Sequence, residues 1–166
     1  MPIRRFAIGV LCAALLASPA SAADVGGARK FVAWIYSHYP TSGSGFVALG
    51  AAAKTVFHPS LLALIGEDRR LADGEVGALD GDPLCDCQDD GGMTFQIKSV
   101  RDDGDERATA VVVRREVEDP AAVDITLDLA LSDGHWRVYD IHTKDTPSLR
   151  TLLIKSNLAA AKSEAP

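Results

Sequence analysis

The sequence predicts an α+β domain in which N-terminal helices pack on a curved antiparallel sheet of about four strands, with a helix at the C-terminus. Three observations carry that expectation. From Ala28 to Arg70 the apolar positions recur every three or four residues, the period of a helix with one buried face. From Met93 to Ile141 they alternate, the period of a half-buried strand. Turn-forming runs at Asp102-Asp103-Gly104-Asp105, Glu118-Asp119-Pro120 and Asp133-Gly134 divide that second half into four segments.

At the N-terminus, Arg4 and Arg5 precede an apolar stretch, Phe6 to Ala17, and then Ala20-Ser21-Ala22. This is the pattern of a cleavable export signal, cut after Ala22. The stretch is too short to span a bilayer core of about 30 Å. Bulky Leu11 before Cys12 argues against lipidation. Residues 23–166 then form a single domain, exported to the periplasm or beyond. Its first helix is expected over Ala28 to Tyr39, with Phe31, Val32, Ile35 and Tyr39 on one face, ended by Pro40 and the Thr41–Gly45 run. A weaker helix comes next, over Phe46 to Phe57. His58-Pro59-Ser60 starts another, because proline suits the first helical turn. Asp73 to Gly92 is Gly/Asp-rich and irregular.

Met93, Phe95 and Ile97 open the sheet, succeeded by the alternation of Ala108 to Val113 and the clean period of Val123, Ile125, Leu127, Leu129 and Leu131. Asp133-Gly134 then makes a hairpin. In the last strand Trp136, Val138 and Asp140 are expected on one face, with Tyr139 and Ile141 on the other. The closing helix is placed from Pro147, capped by Thr146.

The chain carries 17 basic and 23 acidic residues, a net charge of −6. Loss of Arg4 and Arg5 with the signal makes the remainder more acidic still. No Lys/Arg stripe is present, which argues against nucleic-acid binding. After signal cleavage no integral membrane segment is left. There is no Gly-x-Ser-x-Gly elbow for a hydrolase, and Ser42-Gly43-Ser44-Gly45 lacks the lysine of a phosphate loop.

Two groups of residues could carry chemistry. Asp80 to Asp90 holds five aspartates, Gln88, Cys85 and Cys87. In an oxidising compartment the two cysteines pair into a disulfide closing a very small loop. The alternatives are a thiolate metal site helped by His142, or thiol exchange. Zinc ligands are more widely spaced, however, and the aspartates do not fit a calcium-binding helix–loop–helix. The second group is Asp140 and His142, two apart on one strand. Beside Trp136, Asp140 would lose solvent and become a usable general base. The competing assignment is a buried aspartate capping a helix or pairing with Arg150. Tyr36 and Trp136 are the other candidate pocket residues.

Five blocks resemble a known family in order: Phe31-Val32-x-x-Ile35-Tyr36-x-x-Tyr39, Pro59-Ser60-Leu61, Asp82-Pro83-Leu84-Cys85-Asp86-Cys87-Gln88-Asp89, Gly134 to Ile141, and Ser148-Leu149-Arg150. Together they look like an uncharacterised family of exported bacterial domains classed with the nuclear-transport-factor-like and SnoaL-like cone folds. The resemblance implies a curved sheet wrapped around a hollow that the first helix closes. No catalytic set comes with it, and no cofactor or bound metal is expected.

The first expectation is therefore a periplasmic binding module for an unknown protein or small ligand, engaged through the cone mouth and the loop of Asp82, Asp86, Gln88 and Asp89. Immunity to a basic toxin is one variety. One alternative is a small-molecule enzyme with Asp140 as base; another is a thiol-based metal or redox protein using Cys85 and Cys87. A hollow filled by Phe31, Ile35 and Trp136 favours the binding module, whereas a deep pocket exposing Asp140 favours the enzyme.

Overall fold

The computed structural model describes residues 24–39, 50–88, 92–116 and 121–163. The expected export signal with its expected cleavage after Ala22, the Thr41–Gly45 run, Asp89 and the expected Glu118-Asp119-Pro120 turn lie outside them. Four helices, α1 (Val25–Tyr36), α2 (Ala53–Val56), α3 (Pro59–Ala72) and α4 (Leu149–Ser163), frame four strands, β1 (Met93–Gly104), β2 (Arg107–Glu116), β3 (Val123–Ser132) and β4 (His135–His142). The strands form one antiparallel sheet in the order β1-β2-β3-β4. The α+β class and its curved four-stranded sheet are as the sequence predicts. Among the described residues no helix is long and apolar enough to cross a membrane.

One face of the sheet carries the core. Ala108, Ala110 and Val112 of β2, Ile125, Leu127 and Leu129 of β3, and Val138 of β4 are all sealed from solvent. Onto this face α1 lays Ala28, Val32 and Ile35. Helices α3 and α4 pack against each other beside β4, with Leu61, Ile65, Leu149 and Leu153 buried. Asn157 Nδ2 donates across that seam to the Leu64 carbonyl at 3.1 Å.

Helix α1 begins and ends three residues earlier than its pattern suggests. Gly26 and Gly27 occupy its first turn, and glycine has poor helix propensity. Gly27 lies close to its neighbours: a Cβ there would lie 2.3 Å from the Asp24 carboxylate, which would have to shift, and 3.2 Å from Trp136 Nε1. Helix α2 is a single turn, shorter than the Phe46–Phe57 helix expected, of which 46–49 lie outside the described residues. Helix α3 starts at Pro59, with His58 at its cap accepting from the Ser60 amide. Helix α4 starts at Leu149, two residues after the expected Pro147; Ser148 Oγ, not Thr146, accepts from the Thr151 amide.

The hairpin turns are tight. Asp133 and Gly134 have φ of 52° and 74°, the left-handed pair that a two-residue hairpin requires. The β1–β2 turn falls at Asp105-Glu106, with φ of 49° and 59°. It sits later than the Asp102–Asp105 signal implied, because β1 runs on to Gly104.

Strand β4 holds the largest departure from expectation. Asp128 pairs with Asp140 but Leu129 pairs with Val138, so Tyr139 is the extra residue of a β-bulge. A bulge inserts one residue and re-aims the side chains beyond it. Trp136 and Val138 remain on the core face, but Asp140 moves to the outer face and Ile141 turns inward, 2% exposed. The expected grouping of Trp136, Val138 and Asp140 on one face, with Ile141 opposite, is therefore corrected by a single inserted residue.

Candidate functional site

The Asp-rich segment is irregular but heavily braced. Asp68 on α3 is 3% exposed, and its carboxylate accepts from the Ala78 and Leu79 amides at 2.9 and 3.1 Å. Gly77 lets the chain approach, because a Cβ there would come within 2.3 Å of that carboxylate. Past this clamp, Asp82 and Cys87 exchange backbone hydrogen bonds at 2.8 and 3.3 Å. Gly81 is needed beside them, since a Cβ would stand 2.6 Å from the Cys87 carbonyl oxygen.

Inside the closed turn Cys85 and Cys87 form a disulfide with their Cα atoms 5.2 Å apart. Asp86 between them takes φ 53°. Asp82 works twice: Oδ1 accepts from the Leu84 amide at 2.9 Å, and Oδ2 accepts from the Tyr39 hydroxyl. The Tyr36 hydroxyl donates to the Leu84 carbonyl at 2.8 Å. Burial pushes the Tyr36 phenol well above its ordinary value, and the negative charge of Asp82 adds to the effect. Arg114 of β2 donates to the Asp86 carbonyl at 3.0 Å.

This loop forms one wall of a cavity of about 250 Å³. The facing wall is the end of β4 and the start of α4: Ile141, Thr143, Thr146, Leu149 and Leu152. Asp80, Asp82, Asp86 and Gln88 line the loop side with Leu79 and Pro83, and no Lys or Arg is among the lining residues. The cavity thus has an acidic loop side and, across from it, a mostly apolar side in which Ile141, Leu149 and Leu152 are joined by Thr143 and Thr146. It holds roughly eight waters' worth of space, enough for a compact organic molecule and below the usual range for larger ligands.

The other sequence candidates do not gather here. Tyr36 is buried, its ring against Phe95 and Tyr39, and it supports the loop from behind. Trp136 is 7% exposed and stands against the first turn of α1, at the other end of β4. Asp140 lies on the outer face, where it caps α4. Its Oδ1 accepts from the Ile141 and Arg150 amides at 2.8 and 2.9 Å, and Oδ2 accepts from the Ser148 hydroxyl at 2.7 Å. His142 sits on the same face, Nε2 2.9 Å from Asp128 Oδ2 and 3.9 Å from Asp140 Oδ2. Burial works against a charge on His142. Its hydrogen bonds to the Pro147 carbonyl and Asp128, with the nearby charges of Asp128 and Asp140, outweigh that effect and raise its pKa.

Sequence reasoning did not mark Arg114, Thr143, Thr146 or Asp128 as site residues. Asp128 carried no signal, because it stands, like Asp124, at a polar position of the regular alternation of β3.

No protein-family model matches the chain. A stretch of 80 residues is 34% identical to an uncharacterised protein, YqhG, of Escherichia coli strain K12; the match takes in 48% of this chain and 26% of that protein. The chain thus spans about a quarter of the length of that curated relative. Among solved structures, the phospholipid-binding protein from Ralstonia solanacearum, in complex with a phospholipid, aligns over 84% of this chain and 76% of that one. The TM-score is 0.42 and the identity 16%.

Proposed function

We propose that this chain is a periplasmic binding module of the exported, cone-fold kind that its motifs resemble. Its site is the cavity beneath the Asp-rich loop, and its ligand is a compact molecule with an apolar body and a cationic head. One observation carries the reading: three aspartates on a braced loop face a mostly apolar wall, and no basic side chain lines the space between. A carboxylate-lined, partly desolvated cleft attracts cations and repels anions. The filled hollow points the same way. Ile35 and Trp136 are buried and Phe31 packs against the core, the arrangement expected of a binding module. Asp140, with its oxygens engaged at the α4 cap, is outside the cavity. The Cys85–Cys87 sulfurs are bonded to each other, so a thiolate role would first require reduction.

The test is a pair of matched probes, phenethylamine and phenylacetate, titrated into isotopically labelled protein. The amine should shift the amide signals of Leu79, Asp82, Thr143 and Leu149 saturably while the acid leaves them unmoved. Asp80→Asn with Asp86→Asn should weaken the amine at least tenfold. Equal response to both probes, or to neither, removes the reading.

A further inference from the structure

A separate set of side chains able to ligate a cation gathers on the outer face of the sheet. Asp128 of β3 and Asp140 and His142 of β4 each present one ligand atom, and these three atoms lie within 4.8 Å of one another. The bulge at Tyr139 creates the grouping, because it places Asp140 directly across from Asp128.

The imidazole orientation decides what the group can do. His142 Nδ1 is hydrogen-bonded to the Pro147 carbonyl oxygen. A carbonyl oxygen only accepts, so Nδ1 carries the proton. Nε2 stands 2.9 Å from Asp128 Oδ2 and 3.9 Å from Asp140 Oδ2, so a metal ion takes the place of the proton that Nε2 otherwise shares with Asp128. Three lone-pair donors converging on one point are satisfied by a cation among them.

The surroundings match what metal ligands need. An Nδ1–H donated to a backbone carbonyl is the usual way a metal-binding histidine is fixed in tautomer and orientation. Asp140 is held still through Oδ1 by two backbone amides, while its Oδ2 faces the group with Ser148 alongside. The side chains of His142 and Asp128 are 30% and 41% exposed, which gives an ion and a water ligand access from solvent.

We propose that Asp128 Oδ2, Asp140 Oδ2 and His142 Nε2 form a binding site for a divalent transition-metal ion of the zinc type. Zinc binds imidazole nitrogen at about 2.0–2.1 Å and carboxylate oxygen at about 2.0–2.2 Å. Two donors of a tetrahedral zinc ion are therefore roughly 3.3 Å apart. The observed separations from Nε2, 2.9 and 3.9 Å, bracket that value. An imidazole with two carboxylates suits zinc and its neighbours better than calcium or magnesium, which prefer oxygen alone, or copper(I), which prefers sulfur. The site is independent of the cavity beneath the Asp-rich loop.

The experiment is calorimetric titration of Zn²⁺ into protein purified with its disulfide intact and stripped with EDTA, repeated with Co²⁺ and read by visible absorption. Wild type should take up one equivalent of zinc and give a coloured cobalt complex. His142→Ala should abolish both. Asp128→Asn, at a half-exposed position that caps no helix, should keep the circular dichroism spectrum and weaken zinc at least tenfold. His135→Ala, on an exposed histidine outside the group, should bind as wild type does. No uptake of zinc by the wild-type protein, or equal uptake by wild type and Asp128→Asn, overturns the proposal and leaves the group held together by a second proton on His142.

Discussion

The carboxylate of Asp140 accepts from two backbone amides and a serine hydroxyl at the mouth of α4, and a carboxylate so placed satisfies donors that a helix start otherwise leaves unpaired. Asp140→Asn keeps the shape but removes the charge and converts one acceptor into a donor facing donors. With EDTA present, the variant should lose about 1–3 kcal/mol of unfolding free energy, read by urea denaturation. A loss below a few tenths of a kcal/mol would mean the cap contributes nothing. His58 makes a second residue-scale prediction. Its Nδ1 accepts from the Ser60 amide and is bonded to the Ser60 hydroxyl, so the cap needs the neutral ring. Burial, with the charges of Arg107 and Arg150, lowers its pKa. A lowered folded value means that the unfolded chain binds the proton more readily. The contribution of His58 is then complete above about pH 6.5 and is lost as the pH falls through the lower folded value. Comparing wild type with His58→Asn, which caps without titrating, should show the difference in stability shrinking only below that pH.

At the scale of elements, the disulfide spans only two positions, and a loop so short restrains little of the unfolded chain. Replacing Cys85 and Cys87 together by Ser should cost about 1.5 kcal/mol or less and leave the far-ultraviolet spectrum unchanged, because Tyr36, Tyr39, Asp68 and Arg114 still hold the segment. Collapse of the fold would show instead that the bond directs the turn. These supports explain what was legible beforehand. Strands β2 and β3 could be read because alternation is a local signal, and the Asp133-Gly134 hairpin because a left-handed pair needs those residue types. The first turn of α1 could not be read, since Gly26 and Gly27 contradict helix propensity, and only in the fold does Gly27 come close to Asp24 and Trp136. The bulge left no mark in sequence. Counting back from the hairpin places Asp128 opposite Tyr139, and only three-dimensional pairing shows that Asp140 stands there. Of the Asp-rich loop, its composition and its cysteines could be read. The long-range partners that make it a wall could not, because Tyr36, Asp68 and Arg114 are remote in the chain.

At the scale of the whole molecule, one core cluster draws side chains from all eight elements, Ile35 in α1 and Leu153 in α4 included. With no second core among the described residues, unfolding should be all-or-none. Trp34 and Trp136 report from α1 and β4, and circular dichroism reports the helices, so the two denaturation curves should share one midpoint. Separate midpoints would show that α1 leaves before the sheet. The clamp that Asp68 places on the Ala78 and Leu79 amides, with the mutual bonds of Asp82 and Cys87, has its own consequence for exchange with solvent deuterium. Amides exchange at the rate at which their bonds open. These amides belong to neither helix nor strand, yet they are bonded to groups anchored in the core. They should therefore keep their protons about as long as the core of β3, while the amides of Gly74 and Glu75 just upstream exchange early. A stretch that looks like loop would then behave, on the clock of hydrogen exchange, as part of the core.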